Sequence, residues 1–172
     1  MKTHVPAEWL ALDAREEERF AAKVGTTDEN GCHPWTASTR SGGYGQFALQ
    51  REGRFLAAYA HRISWVRAHG PFDPELMIDH LCSKTGCVNV EHLRLVTPAQ
   101  NSQHRRGPAS NNRSSGVRGV TWSVPSSKWN AGVVVGGRRH HVGLFDDLGE
   151  AAAAVLDARL KLHTHSDPQH RA

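Results

Sequence analysis

The sequence is most informative first in what it has little of. Its 172 residues contain no apolar run near the ~20 residues that a bilayer-spanning helix needs, which excludes an ordinary membrane span. Its first residues carry no apolar stretch of the kind that opens a secretory leader, so an intracellular (cytoplasmic) setting is expected. Cysteine is scarce and odd in number: Cys32, Cys82 and Cys87. Such a set argues against a disulfide framework and suits an intracellular metal site. Lysine is also scarce, at 5 against 16 arginines. The cationic chemistry is therefore mostly that of the planar guanidinium, which suits phosphate oxygens.

The charge is divided. Residues 1–99 carry a net −1 and residues 100–172 a net +5. A basic C-terminal part on a near-neutral N-terminal part points to a nucleic-acid-binding unit joined to something else. A nucleic acid is the expected partner; monomer and homodimer both stay open.

The local patterns give an α+β chain. A helix is expected over 6–24, with Pro6 in its first turn. A hairpin follows, with strands 44–49 and 55–60 around a polar Gln-Arg-Glu-Gly turn. A helix over 61–70 stops at Gly70. Short strands are expected at 76–81 and 93–96, then a helix from Thr97-Pro98 to about Arg106. Residues 107–115 have linker composition. Strands at 117–122, 128–135 and 138–145 precede an Ala-rich helix over 148–162. The expected organisation is a domain over 1–106, a linker over 107–115, a second domain over 116–163 and a tail over 164–172.

The densest chemistry lies in residues 79–101. Cys82-x4-Cys87-x4-His92 places three soft or borderline ligands within eleven residues. Zinc takes four in a closed structural site, and Cys32 could supply the fourth. Asp79-His80 precedes this loop and Asn101 follows it on a helix. Carboxylate and amide oxygens are hard donors that suit Mg²⁺. An imidazole beside such an ion can act as general base on water. That equipment suffices for phosphodiester hydrolysis.

These residues resemble a known family. Asp79-His80-x-Cys82-x4-Cys87-x-Asn89-x2-His92-Leu93, then Asn101, is similar to the HNH (His-Me finger, ββα-metal) homing endonucleases of phages and introns. Gly31-Cys32, Gly43-Tyr44-Gly45 and His61-Arg62 match the zinc-bearing branch. The resemblance spans about residues 8–106 and implies a zinc-stabilised ββα-metal nuclease module. It implies His80 as general base and Asn101, with Asp79, as ligands of one catalytic Mg²⁺. It implies Cys32, Cys82, Cys87 and His92 as structural zinc ligands, and Arg62 as a contact to the scissile phosphate. The products would be a 5′-phosphate and a 3′-hydroxyl. Asn89 is expected to cap the turn into His92. Val90 stands where the family usually has proline.

A second resemblance lies in residues 114–163. Gly116-Val-Arg-Gly-Val-Thr-Trp, Lys128-Trp129-x-Ala131 and Arg138-Arg-His-His-Val-Gly-Leu-Phe145, then an Ala-rich helix, look like the APETALA/ethylene-response-factor DNA-binding domain. This implies a small three-stranded antiparallel sheet packed on one helix, the sheet entering the major groove. Arg118, Trp122, Lys128, Trp129, Arg138 and Arg139 would face DNA, with Arg105 and Arg106 continuing the positive track. Thr121 and His141 depart from the usual arginine and tryptophan, so no base preference carries over. The alternative is a zinc-stabilised DNA-binding protein or regulator that does not cleave, in which Asp79, His80 and Asn101 are structural.

Overall fold

A computed structural model describes residues 5–104, 112 and 114–163. The chain is mixed α+β, with three small antiparallel sheets. It divides into two compact units, Met1–Thr97 and Pro98–Ala172. No described helix is long and apolar enough to cross a membrane.

In the first unit, the helix expected over 6–24 is broken. A 3-10 turn, Ala7–Leu10, is followed by extended Ala11 and then by α1, Ala14–Ala21. The cause is Asp13. Its carboxylate accepts from the Glu16 N–H at 2.8 Å, while Glu16 accepts from the Asp13 N–H at 3.3 Å. This reciprocal capping box starts a new helix and so ends the old one.

Strands β1 (Gln46–Arg51) and β2 (Arg54–Tyr59) pair antiparallel, Arg51 opposite Arg54. The turn is Glu52-Gly53, with φ of 51° and 74°. Positive φ at both positions matches the twist of a hairpin. One face of the ribbon buries Phe47, Leu49 and Ala58. Phe47 joins Phe20 and Trp35 in a ring triad with centroids 5.0–6.1 Å apart. Helix α2 (Ala60–His69) adds Ile63 and Val66 to this core and stops at Gly70.

Strands β3 (Met77–His80) and β4 (Leu93–Val96) form a second ladder. Asp79 lies opposite Arg94, and His80 opposite Leu93. The intervening loop holds Cys82 and Cys87. A bridge between Pro34 and Cys87, and a bond from the Val88 N–H to the His33 carbonyl at 2.8 Å, bring the Cys32 segment to this loop.

The second unit begins with α3, Pro98–His104. Helix α3 is thus grouped with the second unit. Arg118 supplies a reason: its guanidinium donates to the carbonyls of Ser102 (2.6 Å) and Gln103 (3.1 Å), closing the end of α3. Strands β5 (Val120–Ser123), β6 (Lys128–Val135) and β7 (Arg138–Phe145) form an antiparallel meander, and α4 (Leu148–Leu162) packs on it. Val120, Ala131, Val133, Ala151 and Val155 are its buried core. Asp147 caps α4 by accepting from the Glu150 N–H at 2.9 Å.

Candidate metal centre and the buried histidine beside it

The Cys32 loop is shaped by Asp28. Its carboxylate accepts from the N–H groups of Asn30 and Cys32, both at 2.9 Å, and from Lys84 Nζ at 2.7 Å. Gly31, at φ +74°, passes under the His92 ring; a Cβ there would sit 3.4 Å from Cε1 and Nε2. Asn89 caps the 3-10 turn Val90–His92 through the Glu91 N–H and also donates to the Gly31 carbonyl at 2.7 Å. One amide thus fixes both halves of the centre.

These supports bring together the four residues expected to hold zinc. The ligand atoms of Cys32, Cys82, Cys87 and His92 lie within 4.8 Å of one another. His92 Nδ1 is 3.5 Å from Cys32 Sγ and 3.7 Å from Cys87 Sγ. A tetrahedron with Zn–S of about 2.3 Å and Zn–N of about 2.0 Å has S···N edges of about 3.5 Å. The separations and the donor set both fit zinc. Burial pushes the Cys32 thiol up. Hydrogen bonding between Cys82 and Cys87 raises the first and lowers the second. Three thiols this close cannot all ionise without a cation to offset them.

His80 ends β3 and is buried. Its Nε2 lies 3.1 Å from the Cys87 carbonyl oxygen. A carbonyl only accepts, so this bond puts the proton on Nε2 and leaves the lone pair on Nδ1. Burial lowers the affinity of His80 for a second proton, and the Cys87 carbonyl opposes that effect. The ring is wedged edge-on against His61, centroids 4.8 Å apart, with Tyr44 at 6.0 Å. His61 in turn contacts Tyr44 and Tyr59, at 5.5 and 5.6 Å.

Asp79 is also buried and is held by Arg94, whose Nε and Nη2 reach Oδ2 at 3.0 and 2.8 Å. Asn101 is half-buried on α3, within the second unit. Arg62 stacks on Phe72, 5.0 Å from the ring centroid, and donates to the Val5 carbonyl at 3.5 Å. Its Nε is buried without a hydrogen-bond partner among the described residues, and burial lowers its pKa.

In the second unit, register sorts the basic and aromatic residues. Trp122 pairs with Trp129, their rings 4.9 Å apart, on the same face as Val120 and Ala131, which packs against α4. Arg139 pairs with exposed Val134 on the other face, and Arg138 with Val135. Lys128 is paired with Asp146 at 2.8 Å. Arg105 and Arg106 lie outside the described residues.

Sequence reasoning assigned no role to His61, Tyr44, Tyr59 or Arg94. Tyr44 and His61 pack on His80, Tyr59 packs on those two, and Arg94 holds Asp79. Tyr44 and His61 stood in motifs matched to the zinc-bearing branch without a role, and Arg94 falls at the β-pair position of Asp79.

Residues 58–103 match the HNH endonuclease family, a segment that takes in β3, the cysteine loop and β4. The chain is also 31% identical to protein 3.8 of Escherichia phage T7 over 109 residues, which is 63% of this chain and 88% of that protein. The chain belongs to the HNH endonuclease family, and DNA is the substrate that membership implies. It is 32% identical to protein 7.7 of the same phage over 72 residues, 42% of this chain and 52% of the relative. It is 36% identical to an uncharacterized gene 5.3 protein of Enterobacteria phage T3 over 56 residues, 31% of this chain and 55% of the relative. The chain thus spans only about half of these two relatives. No solved structure matches.

Proposed function

We propose that the chain is a metal-dependent DNA endonuclease of HNH homing type, built on a zinc-stabilised ββα-metal module. The observation that carries this reading is the orientation of His80. A general base needs an unprotonated ring nitrogen at a defined atom, and a fixed tautomer supplies one. Here the carbonyl of Cys87, a residue of the metal cluster, holds Nε2–H and leaves Nδ1 as the basic atom.

Cys32, Cys82, Cys87 and His92 would hold one structural zinc, which locks the loop that presents the Cys87 carbonyl. Asp79 and Asn101 offer hard oxygen donors and would hold one Mg²⁺. That ion supplies electrostatic stabilisation to the charge that develops on the phosphate. His80 accepts the proton of the attacking water at Nδ1. Arg94 fixes the Asp79 carboxylate through Oδ2. Arg62 would contact the scissile phosphate only after leaving Phe72. The second unit would place the module on duplex DNA through the face of its sheet turned away from α4, with Lys128 and Arg139 as contacts and Arg138 beside them; of the other expected contacts, Trp122 and Trp129 lie on the helix-packed face and Arg118 holds the end of α3. Arg138 and Arg139 are both exposed, Arg139 on the face away from α4. Affinity from phosphate contacts would fall with salt.

The test uses the purified full chain with supercoiled DNA and Mg²⁺, beside His80→Ala. Nicking by the wild type, reduced at least about 100-fold in the variant, is the expected result for loss of a general base. DNA binding without cleavage across many duplex sequences would replace this reading with that of a non-cleaving binder. Equal nicking by both proteins would remove His80 as the base.

A further inference from the structure

Helix α4 is apolar on two sides. Its inner line, Leu148, Ala151, Val155 and Ala158, packs into the core of the second unit. At about 3.6 residues per turn the opposite line is Gly149, Ala153, Leu156 and Leu160, and each of these is exposed. Leu156 keeps 37% of its surface open and Leu160 38%. No charged residue stands on this outer line. A surface helix ordinarily sets charged and polar side chains there, whereas a helix apolar all round is buried all round.

The charges lie to one side of it. Glu150, Asp157 and Lys161, seven and four residues apart, fall on one flank of the stripe. Asp157 and Lys161 pair with each other at 2.7 Å. The flank therefore opens on an acidic residue and closes on a lysine.

We propose that the outer stripe of α4 is a self-association surface, on which a second copy of the chain packs its own α4 antiparallel to the first. Three observations point to that occupant. The first is charge. Antiparallel packing brings the two flanks together with opposite polarity, so Glu150 of each copy comes opposite the end of the other helix that carries Lys161. Parallel packing would set Glu150 against Glu150 and Asp157 against Asp157, and like charges in apposition are unfavourable. The second is size. With a twofold axis near Leu156, the two Leu156 side chains meet, and Leu160 of each copy falls over Ala152 and Ala153 of the other, where small side chains leave room for it. Such an arrangement is self-complementary and closes at two copies. The third is position. Lys128 and Arg139 stand on the sheet face turned away from α4, so pairing through α4 leaves that face open.

The strength follows from the size of the helix. The 15 residues of α4 make about 22 Å of helix. One helix pair of that length belongs with small interfaces, under about 1,200 Å², so dissociation in the micromolar range is expected. On the nuclease reading above, a pair holds two cleavage centres, the number needed to cut both strands of a duplex. The surface itself does not depend on that reading.

The experiment follows the full zinc-loaded chain by sedimentation velocity between about 1 and about 200 µM, the range that such an interface requires. The wild type should pass from monomer to dimer across it. Leu156→Glu changes an exposed position, so zinc content and thermal midpoint should match the wild type. This variant should stay monomeric throughout, because the axis sets its two carboxylates face to face. Cysteine variants read the direction with a short bis-maleimide, the wild type giving the background of its own thiols. Leu156→Cys should cross-link to itself, because residues beside a twofold axis meet their own copies. Glu150→Cys should not, because its copy lies at the far end of the other helix. A wild type that is monomeric at the highest concentration would overturn the proposal. So would a dimer that survives Leu156→Glu, or cross-linking through position 150 in place of 156. If Leu156→Glu lowers the thermal midpoint, wild-type sedimentation and the two cysteine variants still decide the matter.

Discussion

Arg51 offers the sharpest energetic prediction, because it joins the hairpin to everything before it. Its Nη1 and Nη2 meet the Glu16 carboxylate at 2.8 and 3.0 Å. It also donates to the carbonyls of Trp9 (3.0 Å), Ala11 (2.6 Å) and Gln50 (2.8 Å). The Glu16 side chain is only 7% exposed. Arg51→Met removes all five bonds and strands a carboxylate in the interior. Breaking a buried pair from one side costs about 3–5 kcal/mol. Arg51 is itself 20% exposed, so the low end, about 3 kcal/mol, is expected. For a unit of this size that is a fall of roughly 12–24 °C in Tm. The double variant Glu16→Gln/Arg51→Met should recover much of the loss, since no charge is then left alone. The acid dependence follows from Glu16. The Arg51 hydrogen bonds hold its carboxyl below the ordinary 4.5. Its contribution is therefore complete above about pH 4.5 and is lost as pH falls through the lowered folded-state value. Calorimetry and urea titration at pH 7 and pH 3 would measure both effects. A variant within about 1 kcal/mol of wild type at pH 7, or a gap that widens in acid, would refute the reasoning.

Two further outcomes are expected. Wild-type protein should contain one zinc per chain by elemental analysis, and Cys82→Ser should lose most of it and melt at lower temperature; full zinc in that variant would dissolve the ligand assignment. Gly132 lies beneath Arg139, and a Cβ there would be 2.8 Å from its Nε. Gly132→Ala should displace that guanidinium, weaken duplex binding severalfold and reduce the salt slope by about one phosphate contact, as read by fluorescence anisotropy.

The chemistry was more legible in the sequence than its supports. Ligand type and spacing in Cys82-x4-Cys87-x4-His92 identified three members of the centre, and counting cysteines supplied Cys32. Strand alternation placed the hairpin and the C-terminal meander. The break before α1 was also written, as Asp13-x-x-Glu16, but helix-compatible residues on both sides masked it. Other features depend on partners distant in sequence, so local pattern cannot show them. Arg62 lies on Phe72, ten residues away, and Arg118 reaches back to Ser102 and Gln103. The tryptophan pair is a case of register. Trp122 and Trp129 belong to the helix-packed side because they share parity with Val120 and Ala131. Beyond Ala131 the β6–β7 ladder shifts, so Arg139 is on the opposite face. A shift of one residue reverses every side chain after it.

The metal centre also imposes a timetable on synthesis. Its earliest ligand, Cys32, precedes its latest, His92, by 60 residues. At about 5–20 residues per second, a ribosome takes roughly 3–12 s to cover that distance. During that interval Cys32 lacks the ligands of the later loop, while the Asp28 turn and the Val24–Trp35 bridge around it draw only on residues already made. The cluster, and with it the carbonyl that orients His80, can close only once His92 has emerged. A metal held by these four residues therefore joins segments whose synthesis is otherwise well separated in time.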